Sequence, residues 1–400
     1  MNKNNPAVVI SKEGETWLRN GQMWMYRNNV VDLDETIENG SLVNIMTVDG
    51  VYLGTGFLST QSHITVRILT KDMNETIDRE FFKKKIVFAY QFRKTLEGDN
   101  ITNCRLIFGE ADELPGLTVD RYNDIIVSQI SSYGLDKVKD MLYDVLMEVL
   151  IEDGQDVKGV YERNDIKVRE KEGLQMEKGY WKQVPLATKT IINENGIQLH
   201  VDVENGQKTG YFLDQKENRV LLRKMAKDKK VLDCFSHTGG FALNAAYGGA
   251  SHVVAVDVSQ TALDQGLANA KLNGLEPIMT FVKADVFDYL DTFADEHFDI
   301  IVLDPPAFTK SRKTILNAYN GYKRINMQAM KLLAHGGYLI TCSCSRFMET
   351  ANFEKMLREA AKETGVTLKQ VSVTQQNHDH PILWTMEETS YLKFYIFQII

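Results

Sequence analysis

The chain has 400 residues, 44% of them hydrophobic and 25% charged, and its formal net charge is −8 at pH 7. This length predicts two or three domains, and the acidic balance argues against a large nonspecific nucleic-acid surface, which needs clustered Lys and Arg. The first residues lack the basic start and apolar core of a signal peptide, and no apolar run reaches membrane-spanning length, so we expect a cytoplasmic protein with no membrane partner.

The first 80 residues predict a small β-barrel. Short β-rich runs at 8–10, 42–46 and 63–69 are separated by glycine-containing turns, among them Gly54-Thr55-Gly56. Residues 78–97 then show apolar side chains at helical spacing, which favours an amphipathic connecting helix.

A second unit follows between about 103 and 187. A hairpin around the Asn123-Asp124 turn, a helix over 135–151 and two further strands at 159–163 and 181–184 indicate a small α+β module.

From residue 191 onward, strand and helix patterns alternate as a parallel sheet requires. The predicted helices lie at 240–247, 259–273, 317–334 and 350–364. The predicted strands, which would form a seven-stranded sheet closed by a final hairpin, lie at 231–235, 252–257, 279–283, 299–304, 336–342, 369–374 and 391–397. These patterns divide the chain into 1–80, 81–190 and 191–400, with an α/β domain last.

A turn rich in small residues follows the first strand of this sheet. Gly239 and Gly240 lie where backbone must pass close to a ligand, a position that larger side chains would block. The chain lacks the G-x-G-x-x-G dinucleotide fingerprint, so the turn by itself is weak evidence. The candidate cofactor-binding residues here are Asp233, Phe235, Ser236, Thr238, Gly239 and Gly240.

An acidic residue ends each of the next two strands. Asp257 can accept both hydroxyls of a ribose, or it can cap the helix that begins near Ser259. Asp285 can hold the amino group of adenine, and Val258 and Val286 are candidate neighbours of the cofactor. The order of the glycine turn and the two carboxylates indicates S-adenosylmethionine as the cofactor.

The motif Asp304-Pro305-Pro306 ends the fourth strand, at the sheet edge where open α/β folds bind ligands. Its prolines fix a rigid turn without backbone donors. We expect Asp304 to contact the cofactor and a base edge, although a purely structural role is the alternative. Pro305, Pro306, Lys310 and Arg312 are the candidate substrate contacts. Other basic clusters are predicted to be solvated faces: Lys83 to Lys85, Arg163 to Lys171, and Lys323-Arg324.

Two cysteines, Cys342 and Cys344, lie at the end of the fifth strand. Carbon 5 of a pyrimidine is a poor nucleophile, and a thiolate that adds to carbon 6 makes it enamine-like. Cys344 is the better candidate, and Cys342 is better explained as core packing. A zinc site that adds His378 and His380 is disfavoured by its tight spacing, so we predict no metal.

Several segments together resemble one family, the bacterial large-subunit ribosomal RNA cytosine-C5 methyltransferases. The similar segments are 208–215, 234–241, Asp304-Pro305-Pro306 and Ser343-Cys344-Ser345, with 108–117 upstream and 379–381 downstream. The likeness covers most of the chain and is weakest in the first 80 residues. Where the family would have Lys-Phe after the prolines, this chain has Ala307-Phe308.

The resemblance implies a PUA domain, a central α+β module and a Rossmann-like seven-stranded class I methyltransferase domain. It also implies that Cys344 is the nucleophile and that Phe212, Asp214 and Gln215 help to close the cofactor pocket. The implied activity is S-adenosylmethionine-dependent methylation of carbon 5 of a cytosine in 23S ribosomal RNA, free or within a precursor particle. The sequence does not say whether the chain forms a homodimer.

Two other functions compete with this interpretation. An enzyme that methylates an exocyclic amine of adenine or guanine commonly has an aromatic residue directly after Asp-Pro-Pro, where this chain has Ala307, and it needs no thiol. An RNA-binding assembly factor that has lost catalysis is the other, and the intact acidic residues and Cys344 argue against it.

Overall fold

The computed structural model describes residues 4–182, 186–293, 298–309 and 312–400, apart from the side chains of Asp99 and Arg312. The chain divides into two compact units. The first consists of Met1–Ile192, Val201–Leu213 and His378–Thr389, and the second of Asn193–His200, Asp214–Asn377 and Ser390–Ile400.

The first unit begins with a six-stranded sheet. Its elements are β1 (Ala7–Ile10), α1 (Lys12–Arg19), β2 (Trp24–Tyr26), β3 (Val30–Leu33), β4 (Leu42–Thr47), β5 (Tyr52–Leu58) and β6 (Ile64–Thr70), and the strand order is β2-β6-β5-β4-β1-β3. Alternate residues of each strand point to the same face, so β1 buries Val8 and Ile10 and β4 buries Val43 and Ile45 in one small core.

Gly54-Thr55-Gly56, which the sequence pattern presents as a turn, lies instead inside strand β5. A Cβ atom on Gly56 would come within 2.0 Å of the carbonyl oxygen of Arg67 on β6. Glycine therefore marks a close approach of two strands at this position.

The rest of the first unit contains the central module. Its elements are α2 (Arg79–Glu97), β7 (Asn103–Phe108), β8 (Leu117–Tyr122), β9 (Ile125–Ile130), α3 (Tyr133–Lys137), α4 (Lys139–Glu152), β10 (Gly159–Asn164) and β11 (Glu177–Tyr180), and the sheet order is β11-β10-β9-β8-β7.

Three details of the central module differ from the sequence prediction. Strand β7 was not predicted, because Arg105 interrupts its apolar pattern, and Arg105 forms an ion pair with Asp120 on β8. The predicted single helix is two helices divided at Val138. The last strand is Glu177–Tyr180 rather than 181–184, of which 183 and 184 lie outside the described residues.

A two-stranded hairpin, β12 (Lys189–Glu194) and β13 (Ile197–Asp202), precedes the large sheet. The elements that follow are α5 (Lys216–Met225), β14 (Lys230–Cys234), α6 (Gly240–Tyr247), β15 (His252–Asp257), α7 (Gln260–Leu272), β16 (Met279–Lys283), α8 (Val286–Leu290), β17 (Phe298–Leu303), α9 (Ile315–Leu332), β18 (Leu333–Ser343), α10 (Thr350–Thr364), β19 (Leu368–Thr374) and β20 (Lys393–Ile399).

In the described part of the chain, the large sheet has seven strands in the order β16-β15-β14-β17-β18-β20-β19. All pair in parallel except β20, which is antiparallel to both β18 and β19. The predicted α/β fold is therefore confirmed. The strand order reverses between β14 and β17, and such a switch point at the carboxyl edge is where doubly wound sheets bind ligands. No helix within the described ranges has the length and apolar character that crossing a membrane requires.

Candidate active site

Asp257 anchors the loop that follows β14. One of its carboxylate oxygens accepts a hydrogen bond from the backbone N–H of His237 and the other accepts one from the N–H of Ser259, both at 2.9 Å. The side chain of Ser259, not that of Asp257, caps helix α7. The carboxylate of Asp257 thus fixes the glycine turn, and each oxygen keeps a lone pair for a ribose hydroxyl.

The loop itself has an unusual backbone. Phe235, His237 and Gly239 have φ values of 61°, 51° and 84°, all in the left-handed region. A non-glycine residue in this region is uncommon and often marks a functional turn. Ser236 and Thr238 lie between them and are buried, and Gly240 begins α6.

Asp233 is a buried carboxyl group with one unsatisfied oxygen. Its Oδ2 accepts hydrogen bonds from the Ser236 hydroxyl at 2.7 Å and from the Ala242 N–H at 2.9 Å. Its Oδ1 is buried and has no hydrogen-bond partner. Burial raises the pKa of Asp233 to about 7. Because a buried acceptor without a partner is costly, this oxygen is suited to a donor on a bound cofactor.

Asp214 also has one buried carboxylate oxygen without a hydrogen-bond partner. It lies in a short 3-10 turn over Leu213–Gln215, and its Oδ2 accepts a hydrogen bond of 2.7 Å from the Tyr391 hydroxyl. The other carboxylate oxygen, Oδ1, is buried without a partner. Among the described residues of the second unit, two buried carboxylate oxygens therefore lack a hydrogen-bond partner, and both fit the ammonium or hydroxyl donors of S-adenosylmethionine. Phe212, directly before this turn, is half-buried.

Asp304 follows the last residue of β17. Burial raises its pKa to about 7, and the negative charges of Asp214 and Asp233 contribute in the same direction. Arg219 and a hydrogen bond with the Gln215 side chain act in the opposite direction. Asp304 can therefore hold a proton near neutral pH, as a group that donates to a base nitrogen must.

Arg219 was not identified from the sequence. It forms a buried, two-bonded ion pair with Glu194, at 2.7 and 2.6 Å. The pair joins α5 to β12 within the second unit. A sequence pattern gives no sign of it, because the two residues are 25 positions apart and both would ordinarily be assigned to the surface.

The two cysteines at the end of β18 have different environments. Cys342 is fully buried, and burial raises its pKa well above the usual thiol value. Cys344 lies just past the strand, is half-buried, and its Sγ is 3.9 Å from the carbonyl oxygen of Pro305. None of the four cysteines, all within the described residues, forms a disulfide. Only Cys344 lies beside the Asp-Pro-Pro turn as an accessible thiol.

A hydrogen bond connects the turn after β17 to the segment after β18. The hydroxyl of Ser345 donates a hydrogen bond of 2.9 Å to the carbonyl oxygen of Thr309. Phe308 packs on Tyr322 of α9, with ring centroids 4.6 Å apart. Pro305 is buried and Pro306 is exposed, whereas Lys310 and the side chain of Arg312 lie outside what the structure describes.

The end of β16, the third strand of the large sheet in chain order, is more exposed to solvent. Asp285 is exposed, and its Oδ1 accepts the N–H of Phe287 at 2.8 Å, which makes it the N-cap of α8. Val286 is buried, and Val258 is 61% exposed. One oxygen of Asp285 is therefore already used by the helix cap, which leaves the other available for a ligand.

Several basic residues from the sequence clusters are held in ion pairs. Lys83 lies 2.5 Å from Glu148, Arg169 lies 2.9 Å from Asp136, and Lys323 lies 2.6 Å from Glu363. Their charges are thereby partly neutralised. In the part of the chain that is described, no group of three or more His, Cys, Asp or Glu side chains is arranged to hold a metal ion.

Comparison with known proteins agrees with this geometry. A family model described as S-adenosylmethionine-dependent methyltransferase matches residues 175–397, and a PUA-like domain model matches residues 8–71. Two relatives are named ribosomal RNA large subunit methyltransferase I. The one from Aliivibrio fischeri strain MJ11 is 39% identical over 98% of this chain and 99% of its own. The one from Aeromonas salmonicida is 40% identical over 96% and 97%.

Two solved structures have the same fold. One, from Streptococcus mutans and assigned as a SAM-dependent methyltransferase, has a TM-score of 0.82 at 23% identity over 98% of this chain and 100% of its own. The other, a methyltransferase assignment solved in complex with SAH, has a TM-score of 0.84 at 22% identity with the same coverage.

Proposed function

Because this chain belongs to the family of S-adenosylmethionine-dependent methyltransferases with a PUA-like domain, we propose that it methylates carbon 5 of a cytosine in large-subunit ribosomal RNA. The observation that supports this proposal most strongly is the placement of Cys344, whose Sγ lies 3.9 Å from the carbonyl oxygen of Pro305, directly after Asp304. A methyltransferase that acts on an amine has no need of a thiol at this position.

The cofactor would be held at the carboxyl ends of β14, β15 and β16. Asp257 suits the ribose hydroxyls and Asp285 the adenine amino group, while the unsatisfied oxygens of Asp214 and Asp233 suit the donors at the amino-acid end. When bound, S-adenosylmethionine supplies an electrophilic methyl group on its sulfonium sulfur.

The chemistry of the base depends on Cys344 and Asp304. The target cytosine must leave its RNA stack to reach them. The Cys344 thiolate adds to carbon 6, so that an S–C bond forms and the ring electrons move toward carbon 5, while Asp304 donates its proton to the ring nitrogen. Carbon 5 is then nucleophilic enough to take the methyl group, and S-adenosylhomocysteine would remain as the leaving group.

The product forms by reversing the addition. A base, either Asp304 or a water molecule, removes the proton from carbon 5, and the electron pair of that bond restores the ring as the S–C bond breaks. Cys344 leaves as a thiolate. The proton on the ring nitrogen passes to Asp304 if water has taken the carbon-5 proton, and to solvent if Asp304 has taken it. The raised pKa of Asp304, about 7, suits a group that gives and receives a proton near neutral pH.

Packing of Phe308 also supports the carbon-5 proposal over amine methylation. Its ring lies against Tyr322, Phe287 and Phe235, with centroid distances of 4.6, 6.0 and 6.3 Å. The aromatic residue of this turn therefore contributes to the core of the second unit. Ala307 occupies the position that directly follows the two prolines.

The test is methyl transfer from labelled S-adenosylmethionine to unmodified large-subunit ribosomal RNA, followed by nucleoside analysis. We expect the label in 5-methylcytidine. Label in a methylated adenosine or guanosine would contradict the carbon-5 assignment, and cofactor binding with no transfer to RNA or to precursor particles would favour an assembly factor.

A further inference from the structure

A lysine that neither the sequence patterns nor the mechanism uses lies beside Cys344. Lys393 is the first residue of β20 and pairs with Ser343 on β18. Its side chain is buried, and its Nζ donates a hydrogen bond of 2.7 Å to the carbonyl oxygen of Ser345. The ammonium group thus reaches from the level of Ser343 to that of Ser345, and Cys344 is the residue between them.

Among the described residues, no Asp or Glu side chain forms an ion pair with the buried ammonium group of Lys393. A buried charge of this kind is costly unless a partner compensates it. Burial lowers the pKa of Lys393 to about 8, and the charge of Cys344 acts in the opposite direction. An anion at Cys344 is therefore the natural partner of this cation.

We propose that Lys393 is a positioning residue that holds Cys344 as a thiolate through the electrostatic attraction between its ammonium group and the sulfur. This inference rests on the proposed function, in which the thiolate attacks carbon 6. A thiol of ordinary acidity is only a few per cent ionised at pH 7, so a neighbouring cation is needed for efficient attack.

Two other titratable groups whose charges interact with Cys344 do not supply this cation. The hydroxyl of Tyr322 on α9 and the thiol of Cys342 on the same strand both interact with the charge of Cys344, and Asp304 interacts with both of them. Each of these groups is neutral or negative. Lys393, in contrast, carries a positive charge that interacts with that of Cys344.

The same ammonium group assists two steps of the proposed reaction, the ionisation of Cys344 and its final departure. When Cys344 ionises, the S–H bond breaks, the electron pair stays on sulfur, and the proton passes to solvent while Lys393 keeps its own proton. In the last step the sulfur departs as a thiolate, and a cation beside it makes it a better leaving group.

The experiment measures alkylation of Cys344 by iodoacetamide between pH 6 and 10, in the full-length enzyme without cofactor or RNA. Mass spectrometry of the peptide that contains Cys344 separates its signal from those of the three buried cysteines. Lys393→Met removes the charge and keeps the apolar stem, and Lys393→Arg keeps the charge. Lys369→Met, which changes an exposed lysine on β19, is the matched control.

We expect Lys393→Met to move the alkylation midpoint upward by about one pH unit or more and to slow alkylation at pH 7 by about tenfold. Lys393→Arg should restore most of the wild-type profile, and Lys369→Met should match it. An unchanged midpoint in a folded Lys393→Met protein that still binds S-adenosylhomocysteine would overturn the proposal.

If Lys393→Met does not fold, Lys393→Gln provides the same comparison with a polar side chain. A midpoint that also stays unchanged in Lys393→Gln would refute the proposal. Since alkylation requires no RNA, this result is independent of the identity of the methylated nucleoside. A shifted midpoint with a product other than 5-methylcytidine would support the Lys393 inference and contradict the proposed function alone.

Discussion

The sulfur of Cys344 lies 3.9 Å from the carbonyl oxygen of Pro305. This proximity follows from the pairing of β17 with β18, which are adjacent parallel strands with Leu303 opposite Thr341. Residues just beyond their carboxyl ends are therefore neighbours, although about 40 positions separate them in the chain. The thiol and Asp304 are brought to one edge of the sheet by strand topology alone.

The raised pKa of Asp233, about 7, predicts a specific pH dependence of stability. Between about pH 4 and 7 the folded protein holds a proton that the unfolded chain has released, so the free energy of unfolding falls as the pH rises through this window. Asp304 contributes in the same way. We expect Asp233→Asn to reduce the fall between pH 5 and 7.5, as measured by urea unfolding. The control variant Asp288→Asn, at an exposed carboxylate, should show the same fall as wild type. Equal pH profiles for wild type and Asp233→Asn would contradict this explanation.

Loss of the Asp257 carboxylate should weaken cofactor binding strongly. The variant Asp257→Ala removes both hydrogen bonds to the backbone N–H groups of His237 and Ser259, and with them the anchor of a loop in left-handed conformations. We expect affinity for S-adenosylhomocysteine to fall by about 100-fold, measured by calorimetry. Asp264→Ala, on the exposed side of α7, should bind like wild type. Near-normal affinity of Asp257→Ala would exclude this role.

Alanine substitutions at two glycines distinguish the cost of backbone strain from the loss of ligand contact. Gly239 and Gly249 have φ values of 84° and 86°, and an added Cβ atom would meet its nearest neighbour at 3.6 Å and 3.8 Å respectively. An alanine should therefore cost each site about 1 kcal/mol of folding free energy through the backbone alone. Only Gly239→Ala should also weaken cofactor binding, because Gly239 lies in the turn after β14 that is proposed to hold the cofactor, whereas Gly249 lies between α6 and β15. Equal cofactor affinity in the two variants would refute the placement of the cofactor.

The N-terminal sheet depends on the central module through a buried ion pair. Arg67 on β6 donates two hydrogen bonds to Glu172, at 3.1 and 2.8 Å, and both side chains are almost fully buried. Arg67→Ala leaves the Glu172 charge without compensation, so we expect a loss of about 3–5 kcal/mol in urea unfolding. Lys137→Ala, which breaks an exposed pair with Glu38, should leave the urea midpoint almost unchanged. Similar costs for the two variants would show that the buried pair is unimportant.

The large sheet could be predicted well from sequence because its central strands are buried on both faces and appear as continuous apolar runs. Strand β15 was predicted at 252–257 and spans His252–Asp257. The smaller sheets were harder. β5 contains glycines that resemble a turn, and β7 contains Arg105, whose charge is satisfied only by a tertiary partner, Asp120. Local patterns do not show such compensation.

The residues of the candidate site also divide into those that the sequence patterns reveal and those that they do not. Asp257 and Asp304 could be placed from sequence because both directly follow or end parallel strands, whose carboxyl ends share one edge. Lys393 could not, since its position beside Cys344 depends on the antiparallel register that sets it opposite Ser343, 50 residues earlier in the chain. The roles of all these residues in binding and catalysis stay predictions.

The most direct measurement of the central claim uses RNA that contains 5-fluorocytidine. Fluorine at carbon 5 cannot leave as a proton does, so the bond between sulfur and carbon 6 should persist after methyl transfer. With S-adenosylmethionine, we expect wild type and Cys342→Ala to form a protein–RNA adduct that survives denaturing electrophoresis, and Cys344→Ala to form none. An adduct that persists in Cys344→Ala, or its absence in a wild-type enzyme that methylates the unfluorinated RNA, would contradict covalent catalysis by Cys344.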